Sequence, residues 1–225
     1  LLKGNNINRR ITSKKYNINE EYFKNIDSPE KAFWLGFFCA DGTIRYVKNS
    51  VVFIIKQKET KLIELYKSDI QYTGPIKCNV IEKNGFSNNP YCYLQINNQK
   101  FINNLMNSGK PRYKKDLHNI PNSILDLYKI DFIRGYFEGD GNFTYDIRNN
   151  AWEINICGYY DLLVDIKLYL SKCIQREFGC IVQDKRSCIY NFKTKGNPIV
   201  NKIVGLLYTD NSYGIKQIKY KEGNK

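Results

Sequence analysis

Two aspartates are the residues whose type and setting could do chemistry. Asp41 closes the segment Phe33-Trp34-Leu35-Gly36-Phe37-Phe38-Cys39-Ala40-Asp41-Gly42. Asp140, 99 residues later, closes Phe132-Ile133-Arg134-Gly135-Tyr136-Phe137-Glu138-Gly139-Asp140-Gly141. Each segment reads as the last turns of a helix stopped by glycine. A helix C-terminus presents carbonyl oxygens without partners and the negative end of the helix dipole, so an added carboxylate makes a hard oxygen site for a divalent cation. One such end is an ordinary helix stop. Two brought together make a centre that could polarise a phosphate, activate a water and stabilise a departing oxyanion. Gly36 and Ala40, and likewise Gly135 and Gly139, are four residues apart, a stripe of small residues that lets the two helices pack closely. Glycine inside a helix costs roughly 1 kcal/mol against alanine, so the stripe makes sense only if close contact is gained.

The segments after the two copies also match, so the chain is one unit written twice. Ser28-Pro29-Glu30 opens the first helix, with Ser as N-cap and Pro at the first helical position. Thr43 to Val47 and Ser50 to Lys56 alternate as a hairpin, Glu59 to Ile70 is helical, Pro75 to Glu82 and Tyr91 to Asn97 pair again, and Lys100 to Asn107 closes the unit. In the second half the strands fall near Asn142 to Ile147, Ala151 to Ile156, Cys180 to Asp184 and Ser187 to Lys193, with helices at Asp161 to Glu177 and Pro198 to Leu207. The prediction is an α+β fold of two pseudo-symmetric αββαββα units packed through the two motif helices. The boundaries are a basic arm over 1–27, a first unit over 28–107, a polar linker over 108–122 with Gly109, Pro111 and Pro121, a second unit over 123–210 and a basic tail over 211–225.

Composition narrows the partner. The 35 Lys and Arg against 22 Asp and Glu leave a formal charge of +13 on 225 residues, which a polyanion attracts and a small neutral substrate does not require. Nucleic acid is the expected partner, with 18 tyrosines and many asparagines to contact it. Seven cysteines without a CxxC pair argue against a disulfide scaffold or a zinc site, so reduced thiols and an intracellular location are expected, in an organelle, a bacterium or a phage-infected cell. The single histidine, His118, rules out histidine-rich metal centres and catalytic triads. No apolar run spans a membrane. Leu1 without an initiator Met reads as a piece of a longer product.

Strand alternation assigns faces. Val51, Phe53 and Ile55, with Cys92, Leu94 and Ile96, face the helices. The opposite face carries Arg45, Lys56, Lys77, Asn79, Tyr93, Gln95 and Asn97 in the first half, and Thr144, Arg148, Asn155, Gln183, Lys185, Asn191 and Lys193 in the second. This set is rich in groups that hydrogen-bond in a major groove.

On its two motifs, Trp34 to Gly42 and Ile133 to Gly141, the chain resembles the LAGLIDADG homing endonucleases in their single-chain, two-motif form. The resemblance covers about residues 28 to 210. It implies motif helices at the interface and saddle-shaped sheets reading a long asymmetric DNA site. It also implies a monomeric, metal-dependent endonuclease that cuts both strands across the minor groove and leaves short 3′ overhangs. Mg²⁺ is the implied cofactor, with Mn²⁺ or Ca²⁺ able to substitute for binding. Asp41 and Asp140 carry over as metal ligands and catalytic residues, and the carbonyls of Ala40 and Gly139 as further ligands. A lysine near the end of the fourth strand, which stabilises transition-state charge, is matched by Lys193. Its counterpart in the first half is read as Asn97, with Ile96 aligned on Phe192. A polar residue on the second strand is matched by Asn155, opposite Ile54. Unequal surroundings for the two aspartates predict unequal cutting of the two strands. The rival function for the same fold is an RNA-splicing maturase or a non-cutting DNA-binding protein.

Overall fold

The computed structural model describes residues 16–47, 50–57, 60–79, 91–185 and 187–208 together with Gly214, Lys216 and Tyr220; of residues 47, 50, 51, 53, 55, 56, 57 and 79 it describes the backbone. The basic arm's Lys3, Arg9, Arg10, Lys14 and Lys15, and most of the tail, lie outside the described residues.

Each half follows the predicted order. The first comprises α1 (Pro29–Asp41), β1 (Thr43–Val47), β2 (Ser50–Gln57), α2 (Thr60–Asp69), β3 (Lys77–Asn79), β4 (Tyr91–Ile96) and α3 (Gln99–Asn107). The second comprises α4 (Lys129–Asp140), β5 (Gly141–Asp146), β6 (Ala151–Gly158), α5 (Tyr160–Ile174), β7 (Cys180–Gln183), β8 (Tyr190–Lys195) and α6 (Asn197–Leu207). The four-stranded antiparallel sheets run β1-β2-β4-β3 and β5-β6-β8-β7.

The start of α1 behaves as its residues dictate. The Ser28 side chain accepts from the Lys31 N–H, Pro29 opens the first turn, and the Gly42 N–H closes the end on the Phe38 carbonyl. Residues 32–39 are buried on every side, as expected of a helix at the centre of a core. Around it, Trp34 stacks on Phe38, Phe38 meets Tyr66 edge to face and Tyr66 lies tilted against Trp34, and the Trp34 indole N–H donates to Asp69 at 2.6 Å. The core runs without a break from Phe23 through both motif helices to Leu207.

Alternation is realised on both sheets. Cys92, Leu94 and Ile96, with Phe143, Trp152, Ile154, Ile156 and Phe192, pack on the helices. Several expectations are corrected. Residues 16–26 are not a solvated arm: Tyr22, Phe23 and Ile26 are core, and Ile26 bridges Ile124. β8 starts at Tyr190 rather than Ser187, because a turn intervenes in which Asp184 N–H donates to the Ile189 carbonyl and Ser187 N–H to the Asp184 carbonyl. Gln183 stands opposite Tyr190, in phase with Ile181 and Phe192, and so belongs to the helix side of its sheet. Cys78 and Cys92 are not free thiols; they face each other directly across β3 and β4 and form a disulfide. Strand pairing brings them together, which local spacing rules do not register. Among the described residues, no helix is long and apolar enough to cross a membrane.

Candidate functional site

The two motif helices meet at their glycines. A Cβ built on Gly36 would lie 2.9 Å from both the carbonyl carbon of Phe132 and the amide nitrogen of Tyr136, with the Phe132 oxygen nearer still. A Cβ on Gly135 would lie 2.7 Å from the Phe33 carbonyl carbon and 2.9 Å from the Phe37 nitrogen. Only bare backbone permits this approach. It carries the ends of α1 and α4 to one place: the Gly139 backbone rests on Ala40, and a Cβ there would stand 3.4 Å from an Asp41 carboxylate oxygen.

The four residues expected to hold a cation, Asp41, Asp140, Ala40 and Gly139, are therefore brought together. Asp140 has its carboxyl pKa raised, chiefly by burial and further by the negative charge of Asp41, against the opposing pull of Lys114 and a hydrogen bond from Tyr136. Asp140 is thus a largely buried carboxylate crowded by a second one, where a cation relieves both the desolvation and the repulsion.

Two lysines not expected from the sequence already sit there. Lys114, from the linker, makes a salt bridge and hydrogen bond to Asp140. Lys216, from the tail, donates through Nζ to the carbonyls of Phe137 (2.8 Å), Gly139 (3.3 Å) and Gly141. Burial lowers the Lys216 pKa, and Glu138, Asp41 and Asp140 oppose that fall. The oxygens at the end of α4 thus already accept a cationic group. Among the described residues no three His, Cys, Asp or Glu side chains converge, so a divalent ion would take the two carboxylates, the helix-end carbonyls and ligands from outside the chain. Such an all-oxygen set suits Mg²⁺ or Ca²⁺. A third lysine, Lys110, is 1% exposed. Its Nζ donates to the Pro111 carbonyl at 2.8 Å, and burial depresses its pKa.

The other candidates divide. Asn155 and Cys157 lie on the face of β6 away from the core. The Asn155 amide and the Cys157 thiol both donate to Asn191 Oδ1, at 3.1 Å each, and Asn155 Oδ1 is buried without a partner. The Cys157 thiol pKa is raised mainly by burial and next by Asp140, which places this network beside the carboxylates. Lys193 pairs with Asn155 across the ladder and is exposed. Its counterpart is not Asn97. Ile54 pairs with Gln95 just as Asn155 pairs with Lys193, so the register makes Gln95 the equivalent residue and aligns Phe192 with Leu94. Asn97 instead lines a crevice with Tyr16, Tyr72 and Lys77.

Of the proposed DNA-reading residues, Arg45, Lys77, Thr144, Arg148 and Lys185 are exposed and Tyr93, Gln95 and Asn191 are half-buried. The Lys77 ammonium stands over the Tyr93 ring, 5.9 Å from its centroid. The side chains of Lys56 and Asn79 lie outside the described residues. His118 pairs with Asp161, exposed on the linker and apart from the aspartates.

Lys114 and Lys216 could have been suspected. Each half follows its last helix with a glycine and a lysine, Gly109-Lys110 and Gly214-Ile215-Lys216, and the first linker adds Lys114.

No protein-family model matches the sequence, and neither does any curated protein. Solved structures do. The chain is similar to the LAGLIDADG homing endonuclease I-GzeII in complex with its DNA target, at 15% identity and TM-score 0.55, covering 88% of each chain. It is similar to variants of the homing endonuclease I-DmoI, at 15% identity and TM-score 0.56, covering 91% of this chain and 99% of that one. It is also similar to I-SmaMI bound to uncleaved DNA in the presence of calcium ions, at 15% identity and TM-score 0.52, covering 87% and 88%. With both motifs on one polypeptide and their helices packed glycine to glycine, the chain has the fold of the LAGLIDADG homing endonucleases.

Proposed function

We propose that this chain is a site-specific DNA endonuclease that hydrolyses one phosphodiester in each strand of a long, asymmetric duplex site. The observation that carries the proposal is the pairing of Asp41 and Asp140 from separate halves at adjacent helix ends, with Lys114 on the Asp140 carboxylate and Lys216 on the carbonyls at the end of α4. Two carboxylates give one anionic group for each of two scissile phosphates, and the two sheets offer a polar face on either side. Structural relatives bound to DNA, one of them with calcium, support the same reading.

Asp41, Asp140 and the carbonyls of Ala40 and Gly139 would hold the divalent ion, Mg²⁺ in the first instance. When bound, it supplies Lewis-acid polarisation of the phosphate and acidifies water. The chain's own groups do the rest. Lys114 and Lys216 place positive charge where the pentacovalent phosphate gathers negative charge, in a partly buried setting that strengthens fixed charges relative to open solvent. Asn155 Oδ1, buried and without a partner, offers an acceptor that can orient a water. Arg45, Lys77, Lys193 and Arg148 neutralise phosphates, while Tyr93, Gln95, Thr144 and Asn191 present hydrogen-bonding groups to base edges. Cleavage across the minor groove, with short 3′ overhangs, is what the resemblance to the LAGLIDADG homing endonucleases implies for such a centre.

The test is incubation with a randomised duplex library and Mg²⁺, followed by sequencing of the ends. Paired cuts within one extended motif, with 3′ extensions, are expected. Binding to DNA without cutting any duplex, in Mg²⁺ or Mn²⁺, would overturn the proposal.

A further inference from the structure

We propose that Glu138, the other acid of the second motif, is a positioning residue that seats Lys216 in the site. The inference rests on the endonuclease reading for its consequence, though not for its geometry. Glu138 is 4% exposed, and its carboxylate is committed to the chain beyond α6. Tyr208 donates its hydroxyl to Oε1, and the Lys216 backbone N–H donates to Oε1 and Oε2 at 3.2 and 3.3 Å. Gly214 runs directly against the same group. A Cβ there would stand 2.7 Å from Oε1, and its φ of +134° favours glycine.

A lysine side chain has four rotatable bonds and is costly to order. Here the backbone of Lys216 is pinned by Glu138 while its ammonium reaches the Phe137, Gly139 and Gly141 carbonyls, so both ends of the side chain are fixed to α4. The same face of α4 holds the segment at a second point. Arg134 is ion-paired to Asp131 at 2.8 Å and donates to the Leu207 carbonyl at 3.2 Å, where α6 ends. Asp131, Arg134 and Glu138 are spaced three and four apart, one stripe of the helix. At the same places in the first motif stand Ala32, Leu35 and Cys39. There the Cys39 thiol faces the Gly109 carbonyl at 4.0 Å, with no carboxylate to grip the following chain. Among the described residues the clamp is built into one half only, so its loss should fall unequally on the two strands.

The experiment uses the full chain with Glu138→Ala, Glu138→Gln and Gly214→Ala, each with and without Lys216→Ala. Hydrogen exchange reports the seating directly. Losing its buried acceptor should speed exchange of the Lys216 amide by about tenfold or more in Glu138→Ala, with α1 and α4 still protected. In single-turnover cleavage, one strand should slow by at least about tenfold while DNA affinity holds within about threefold, and Glu138→Gln should recover part of the loss. In the Lys216→Ala background the same substitution should change the rate by less than about twofold, because the group being positioned is gone. Unchanged exchange at Lys216, equal slowing of both strands, or full multiplication of the two effects would overturn the inference. If Glu138→Ala does not fold, Gly214→Ala decides by the same readouts. A wild-type chain that cuts no duplex would sink the endonuclease reading, while exchange at Lys216 would still show whether Glu138 seats it.

Discussion

Gly36→Ala and Gly135→Ala test the helix interface that makes the site. In each, a methyl group is set against the backbone of the partner helix, at 2.9 Å from the Phe132 carbonyl carbon or 2.7 Å from that of Phe33. Backbone cannot rotate out of the way, so the helices must part by on the order of an ångström, and the overpacking cost falls near the upper end of the usual range, about 3 kcal/mol. Alanine returns about 1 kcal/mol of helix propensity. The net loss is about 2 kcal/mol, a fall in Tm of about 4 to 8 °C for a chain of this size. Gly205→Ala on α6 is the control, because a Cβ there meets nothing within 4 Å; it should gain up to about 1 kcal/mol and raise Tm by about 2 to 4 °C. The double variant Gly36→Ala/Gly135→Ala should lose less than the sum of the two, since one separation relieves both clashes. Thermal unfolding followed by circular dichroism reads all four proteins. If Gly36→Ala and Gly135→Ala raise Tm as Gly205→Ala does, the close packing of α1 on α4 is wrong, and so is the convergence of Asp41 and Asp140.

Three further outcomes are expected. Affinity for duplex DNA should fall steeply between 50 and 200 mM salt, by about 10³ or more if several phosphates are neutralised, and a flat response would contradict the reading of the basic faces. Lys114→Met should slow cleavage by roughly 10²-fold or more while leaving DNA affinity within a few fold, as expected of charge used in the transition state; unchanged cleavage would remove Lys114 from the site. Asp146 is held below the usual carboxylate range, first by its hydrogen bond from Lys195 and next by Asn149, and it also accepts from the Arg148 N–H in the β5–β6 turn. A carboxyl with a lowered folded pKa adds stability that is present above its ordinary pKa and lost as pH falls through the folded value. Amide protection of Arg148 and Asn149 should therefore decline in acid below the ordinary carboxylate pKa, while Asp146→Asn should show weak protection with no such acid transition.

The doubled order of elements was legible because hydrophobic period and helix stops are local properties: Ser28, Pro29, Gly42 and Gly141 mark ends that the structure reproduces. The meeting of Asp41 and Asp140 was legible too, through glycines that are costly unless backbones touch. What local pattern could not supply was register. The turn over 184–189 displaced the start of β8, and with it the pairing of Lys193, whose counterpart is Gln95 and not Asn97. Gln183 was read on the wrong face for another reason: its polarity was followed over its phase, which is that of Ile181 and Phe192. Lys114 and Lys216 were missed for a different reason. They lie in polar, charged stretches that read as solvated linker and tail, and only the tertiary fold turns them inward to Asp140 and to the end of α4.

The central claim is that the two aspartates form one composite hydrolytic centre. Its most direct test is strand-resolved cleavage of the selected duplex in Mg²⁺ by Asp41→Asn and Asp140→Asn, with affinity measured on the same DNA. Loss of a carboxylate that would hold the ion should cut double-strand cleavage by about 10³-fold or more in each variant, with affinity changed by no more than a few fold. Full double-strand cleavage by either variant would contradict the account.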